Sequence, residues 1–321
     1  PALGATFRLS HNIAADIILV MKFQCLLVLT AFSLASIITT KAEEEFSFVS
    51  YNLKNYLKMD RRINGKLRKN APKPAQEISH LIKIIAAVNP SVIGVSEMGD
   101  LDDFSDFKAR LAEAGLNYPH GELTFAADPV RHVGLLSRFP ITARNSQTAL
   151  TYRIGKQELR FQRGILDVTI QPAKDYQLRL LGIHLKSKRE VAEADQSLMR
   201  RNEAELLRSH INGILQQTPG VNLLVFGDFN ETQNELPIKV IRGRYRSPGA
   251  LTDIQVSDDR GERWTYYWQY ADQYSRFDFV FASKGLLPEI NKEKSYIPSH
   301  PDWFKASDHR ALVIKIFAEE R

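Results

Sequence analysis

Cysteine is almost missing from this chain: Cys25 is the only one among 321 residues. A single thiol excludes an intrachain disulfide and a cysteine-ligated zinc site, so a metal held within one chain must be held by oxygen or imidazole. A strong charge of one sign is lacking as well. The formal net charge is +6, and it falls to +4 without residues 1 to 42, which hold Arg8, Lys22 and Lys41 against Asp16. That bias is compatible with a polyanionic substrate and does not define one. Repeats, low-complexity tracts and linkers are also lacking, which favours one domain. With 44% hydrophobic and 25% charged residues, the composition is that of a soluble globular protein rather than a disordered one.

Long apolar runs are lacking except near the start, from Phe23 to Ile38. Met21-Lys22 precedes this run and Thr40-Lys41-Ala42 follows it, so a basic residue, an apolar core and small residues before a cut after Ala42 stand in signal-peptide order. Residues 1–42 are therefore expected to be upstream sequence plus a signal peptide starting at Met21, and residues 43–321 a single domain, secreted or periplasmic. A membrane anchor beginning at Ile17 is the rival reading, but Lys22 and Gln24 interrupt it. No stable membrane span is expected in the mature chain.

What is present is a series of polar residues at the ends of apolar segments. Val221-Asn-Leu-Leu-Val-Phe-Gly-Asp-Phe-Asn230 reads as a buried strand with Asp228 and Asn230 just past its carboxyl end, where open α/β sheets place their ligands. In a continuing strand the two residues would share a face; in a turn they would bond local backbone. Phe46 to Tyr51 alternates as a strand and delivers Asn52. Ser91 to Ser96 ends on Glu97, a carboxylate that needs a partner or a metal if it is buried. Leu178 to Ile183 ends on His184, which Lys186, Lys188 and Arg189 follow, a grouping suited to an anion. Asp278 interrupts the strand Phe277 to Phe281 and needs a hydrogen-bond donor, which Ser307-Asp308-His309 can offer. An aspartate behind a histidine orients the imidazole and stabilises its protonated form.

Between these, helices are expected from Pro74 to Val88, Asp103 to Ala114 and Glu190 to Gln217. The last joins two strands as a crossover connection. Lys54 to Lys73, with eight cations against Asp60, reads as a solvated loop that can receive a polyanion. Residues 231 to 263 read as loop. Trp264 to Tyr270 concentrates aromatics, as core, as sheet surface or as a wall for stacking substrate.

Asn52, Glu97, His184, Asp228, Asn230, Asp278, Asp308 and His309, in that order, resemble the site of the endonuclease/exonuclease/phosphatase superfamily. Gly-Asp-Phe-Asn, Ser-Arg-Phe-Asp-Phe-Val and Ser-Asp-His-Arg are the most specific pieces, and the resemblance spans Phe46 to Ile316. It implies a four-layered α/β sandwich of two mixed β-sheets flanked by helices and a metal-dependent phosphoesterase. Carried over residue by residue, Glu97 resembles the principal Mg2+ ligand, with Asn52 and Asp308 nearby; Mn2+ or Ca2+ would be substitutes. His309, held by Asp278, resembles a base or phosphate-binding imidazole. Asp228 would position or deprotonate the water, leaving two candidates for the base, and Asn230 and His184 would hold phosphate oxygens. His184-Leu-Lys-Ser-Lys188 is similar to a version common in secreted bacterial members. The expected enzyme is a monomeric phosphodiesterase that prefers nucleic acid; a sphingomyelinase-like lipid phosphodiesterase, a phosphomonoesterase and a non-catalytic binding module are the alternatives.

Overall fold

The computed structural model describes residues 45–321, so the segment expected to be a signal peptide and Cys25 lie outside the described residues. Two six-stranded mixed sheets face each other. In the first the order is Ile290–Tyr296, Leu312–Phe317, Glu45–Tyr56, Val92–Met98, His132–Ser137 and His120–Thr124. In the second it is Thr252–Asp253, Asp278–Ala282, Leu223–Asp228, Tyr176–His184, Leu166–Ala173 and Ile141–Arg144.

Each sheet has one parallel pair at its middle. Glu45–Tyr56 runs parallel to Val92–Met98, and Tyr176–His184 runs parallel to Leu223–Asp228. A parallel pair requires a crossover, and each crossover carries a helix, Ala75–Val88 in one case and Gln196–Gln217 in the other. Both helices cover the outer face of their own sheet. Ile78, Leu81, Ile84 and Ile85 pack with Leu101–Glu113 over the first sheet, while Ala204, Leu207, Ile211 and Ile214 pack over the second. A third core, with Phe46, Phe48, Leu166, Val168, Phe226, Leu312 and Ile314, fills the space between the sheets. This is the four-layered sandwich expected from sequence.

Apolar burial explains why the sheets close so tightly. The ring of Phe226 lies edge-on to Phe48 at 4.8 Å, and Gly94 leaves room for it, since a Cβ there would sit 2.0 Å from the Phe226 ring. Burying one such aromatic contributes on the order of 2–3 kcal/mol.

Local chemistry sets the helix ends. Asp100 accepts the N–H groups of Asp102 and Asp103 and starts its helix at Leu101, two residues earlier than the sequence reading. Asp195 does the same for Ser197 and Leu198, so the crossover helix begins at Gln196 and not at Glu190. Leu236–Arg242 is a short helix inside the region read as loop; at seven residues it is too brief to show a helical period. The basic stretch read as a loop contains a β-hairpin, Met59–Ile63 against Lys66–Ala71. Asn64 (φ 51°) and Gly65 (φ 76°) make its turn, and Asn-Gly is the strongest short-range hairpin signal. The signal was in the sequence, masked by the surrounding charge.

Candidate functional site

The two parallel strand pairs bring a candidate residue each to one rim: Glu97, His184 and Asp228 at or next to the ends of their strands, and Asn52 inside Glu45–Tyr56, just before its register shift, and not at the strand end expected from sequence. Asp228 is at the centre. Its strand reaches that depth because Gly227 takes φ 137°, where any Cβ would lie 1.9 Å from the Ile183 carbonyl oxygen. The chain then turns away from strand geometry. Asn230 adopts φ 50° and its N–H donates to Asp228 Oδ1 at 2.8 Å, so the two do not share a strand face; the local-turn reading holds, with Asn230 still facing the cleft.

Around Asp228 the other segments supply partners. Asn52 Nδ2 donates to Asp228 Oδ2 at 3.0 Å, while Asn52 Oδ1 accepts the Lys54 N–H. His184 Nε2 lies 3.6 Å and His309 Nε2 3.8 Å from the same Oδ2. His309 Nδ1 lies 2.7 Å from Asp278 Oδ2, the pairing expected from sequence. Ser307 Oγ donates to the Asn52 carbonyl and accepts the His309 N–H, which ties the His309 segment to the Asn52 strand. The Tyr266 ring covers His309 at 4.8 Å and stacks on Phe277.

Glu97 faces the same cleft through a backbone irregularity. The ladder to His132–Ser137 shifts register between Val95 and Met98, and Glu97 takes φ 60°. Its Oε2 accepts the N–H of Asn55, itself left-handed at φ 56° with Lys54 at 50°. Strained backbone in non-glycine residues collects where function holds it. Asp308 completes the acidic side of the cleft.

Electrostatics divide the buried groups into roles. Burial raises the Asp228 carboxyl to about 7, with Asp278 and Glu97 adding to the rise and His309 opposing it. For His309, burial alone would lower the pKa. The charges of Asp278 and Asp228 and the Asp278 hydrogen bond outweigh it and hold the imidazole near 10. Burial keeps His184 well below its ordinary value, helped by Arg163, so it is neutral. Asp228, Asp278 and His309 also place one ligand atom each within 4.8 Å of the others, close enough for a metal ion.

The cleft encloses about 910 Å³. A short exposed hairpin, Tyr266–Trp268 against Gln273–Ser275, forms one side, with Trp268 and Tyr270 half and fully exposed at its tip. Tyr266, Trp268 and Tyr270 of the aromatic stretch are therefore a wall of the cleft, while Trp264 and Tyr267 pack against Tyr274 and Trp303. Of the basic cluster, Lys188 and Arg189 line the cleft, whereas Lys186 turns away and donates its ammonium to the Ser187 and Arg189 carbonyls. The basic hairpin does not line the cleft; Arg61 pins it to the Asn55 and Leu57 carbonyls.

Residues 49–309 match the model of the Endonuclease/Exonuclease/phosphatase family. The chain belongs to the endonuclease/exonuclease/phosphatase family. Members of this family are enzymes that hydrolyse phosphoesters and depend on a divalent metal. The fold is similar to that of truncated Caenorhabditis elegans TDP2, with a TM-score of 0.57, 16% identity and coverage of 85% of this chain and 98% of that one. It is similar to the human Nocturnin catalytic domain with bound sulfate (0.60, 18%, 85% and 95%). Sphingomyelinase C from Streptomyces griseocarneus is also similar (0.53, 15%, 85% and 99%). At such identities these structures share the fold alone. No sequence among the curated proteins matches the chain.

Sequence reasoning missed five cleft residues of this family member: Asn55, Arg131, Arg163, Thr232 and Gln273. None ends an apolar strand, which was the signal used. The left-handed backbone that aims Asn55 at Glu97 has no marker beyond the Asn itself.

Proposed function

We propose that this chain is a divalent-metal-dependent phosphodiesterase that hydrolyses nucleic acid by in-line attack of water. The observation that carries the reading is the pairing of Asp228, a buried carboxyl raised to about 7, with His309, an imidazole held protonated beside it by Asp278. A carboxylate with a pKa near the operating pH is suited to take a proton from water, and a fixed cation is suited to a phosphate oxygen. Asp228 is therefore assigned as the base and His309 as the phosphate-binding cation. Neutral His184 and the Asn230 amide are assigned to the remaining phosphate oxygens. Asn230 Nδ2 already donates to the Leu185 carbonyl at 3.1 Å, which fixes its direction.

The donor set fits a hard divalent cation. Glu97 and Asp308 bring carboxylates to the cleft, and the Asn52 amide oxygen keeps a free lone pair beside its bond to Lys54 N–H. We assign Mg2+ to this oxygen set, with Mn2+ or Ca2+ as substitutes. The Asp228, Asp278 and His309 group is a poorer host, because a protonated imidazole has no lone pair to give. When bound, the ion would neutralise charge on the phosphate and the leaving oxygen.

Nucleic acid is favoured by the cleft walls. Arg131, Arg163, Lys188 and Arg189 line the same space as Trp268 and Tyr270, and cations with stacking surfaces suit phosphates and bases. The test is a substrate panel. Plasmid DNA should be cleaved in preference to sphingomyelin vesicles and p-nitrophenyl phosphate; preference for either of the latter would replace nuclease by lipid phosphodiesterase or phosphomonoesterase. Export belongs to the same proposal, supported by the apolar run before Ala42. Protein recovered outside the expressing cell should begin at Glu43, and an uncut amino terminus would contradict export by cleavage. Sedimentation at micromolar concentration should show a monomer; a dimer would overturn that part.

A further inference from the structure

One wall of the cleft is organised by a carboxylate that the hydrolytic centre does not use. Asp128 is 9% exposed. Its Oδ1 accepts the backbone N–H groups of Val130 at 2.9 Å and Arg131 at 3.1 Å. Its Oδ2 lies 3.0 Å from Nε of Arg163. The Asp128 N–H also donates to the Gln162 carbonyl at 2.7 Å, so the two arginine-bearing segments are fastened side by side. One side chain thus holds the guanidinium of Arg163 and the backbone of Arg131, and both arginines line the cleft.

Arg131 is tied onward to the metal-binding side. Its Nε donates to Asn55 Oδ1 at 2.8 Å, and the Asn55 N–H donates to Glu97 Oε2 at 2.7 Å. Arg163 is different. It is only 8% exposed, yet its Nη1 has no hydrogen-bond partner among the described residues, and its Nε meets Asp128 as an ion pair without hydrogen-bond alignment. A guanidinium keeps its charge and presents five N–H donors in a fixed fork. Leaving buried donors unpaired costs folding free energy unless a ligand completes them. The neighbouring imidazole repeats the pattern: His184 is 2% exposed and its Nδ1 is also without a partner among the described residues.

The charges point the same way. Asp128 pairs with the guanidinium of Arg163 alone, while that of Arg131 bonds the neutral Asn55 amide, so one carboxylate offsets one of the two positive charges at the wall. Glu203 also acts on Arg163, but its oxygens take the N–H groups of Lys186 and Gln162, and burial raises its carboxyl to about 7. A bidentate fork, an excess of positive charge and an opening onto the cleft together suit a phosphate group.

We propose that Arg163 and Arg131, both placed by Asp128, form a phosphate-binding subsite beside His184 that holds the substrate along its backbone. The subsite rests on the phosphodiesterase reading for its role in turnover, but not for its binding of phosphate. The phosphate it takes is either the one being cleaved or the next along the strand. Asp128 is a positioning residue, because it acts only through the two arginines.

The experiment measures binding of inorganic phosphate to the full chain by calorimetry in excess chelator, for wild type, Arg163→Gln, Arg163→Lys and Asp128→Asn. Arg163→Gln should weaken phosphate by about tenfold or more, and Arg163→Lys by less, since the charge remains while the fork is lost. Asp128→Asn should weaken it while the melting transition stays cooperative. If Arg163→Gln fails to fold, the lysine variant carries the test alone. Phosphate affinity unchanged in every folded variant would overturn the subsite.

A kinetic arm separates the two phosphates. A dinucleoside monophosphate has only the cleaved phosphate, whereas an oligonucleotide has its neighbours. Arg163→Gln raising KM for the oligonucleotide alone assigns the adjoining phosphate; equal losses on both assign the cleaved one; no loss on either overturns the role in turnover. A chain that cleaves no nucleic acid but loses phosphate on Arg163→Gln would keep the subsite and refute the nuclease reading.

Discussion

Replacing Asp228 by asparagine is expected to lower turnover by roughly 10²–10⁴-fold, the range for loss of a general base. The substitution keeps the shape of the side chain and the acceptor for the Asn230 N–H, so the turn after the strand is retained. What is lost is the carboxylate on which Asn52, His184 and His309 all converge. The same change should not harm the fold at pH 8. Burial raises the folded pKa of Asp228 from 3.8 to about 7. The folded state therefore binds that proton more tightly than the unfolded chain. Stability from this group is complete below pH 3.8, falls as pH rises through that interval, and is lowest above about 7. Removing the charge relieves that penalty, and part of the gain is returned because the amide nitrogen replacing Oδ2 cannot accept from Asn52 Nδ2 and because His309 loses one of its anionic neighbours. A melting temperature at pH 8 no lower than wild type, with turnover lost, would show a carboxylate kept for chemistry; lost turnover with a large fall in melting temperature would reduce Asp228 to a structural residue.

The second large effect concerns His309. His309→Ala should reduce turnover by at least about a hundredfold, because a fixed cation at the phosphate is removed. Asp278→Asn is more informative, since it leaves the imidazole in place and removes the charge that most strengthens its hold on a proton. In the wild type the rate should rise with pH as Asp228 loses its proton near 7 and fall as His309 loses its proton near 10. Asp278→Asn should move the alkaline limb to lower pH and leave the acid limb above the ordinary carboxylate range. A profile measured on kcat/KM reads both limbs in the free enzyme. If the alkaline limb stays where it is in Asp278→Asn, His309 is not the group that titrates there.

The fold and the centre of the site were legible because burial makes polar residues conspicuous. Asp278 stood inside an apolar strand and required a donor, and His309 proved to be that donor. Glu97 and Asp228 ended apolar strands, and both reach the cleft. The paired crossover was legible too, because a long helix between two apolar strands admits few arrangements. The cationic wall was not. Arg131 and Arg163 are 32 residues apart in segments with no period, and they meet through one carboxylate and one backbone bond at Asp128. Arginine is common on surfaces, so nothing in the sequence distinguishes a buried one. The aromatic stretch was ambiguous for a related reason: residues that read equally as core or wall were decided by a short hairpin lying outside both sheets.

The measurement that bears most directly on the central claim is cleavage of plasmid DNA by residues 43–321 with magnesium and with excess chelator, alongside Glu97→Gln. Glu97 sits on the cleft with its Oε2 held by the Asn55 N–H, so glutamine should fit while giving up the charge that holds the ion. The account predicts nicking that requires magnesium and is lost in Glu97→Gln at ordinary magnesium concentrations. Nicking that persists in chelator, or at an unchanged rate and metal dependence in Glu97→Gln, would contradict it.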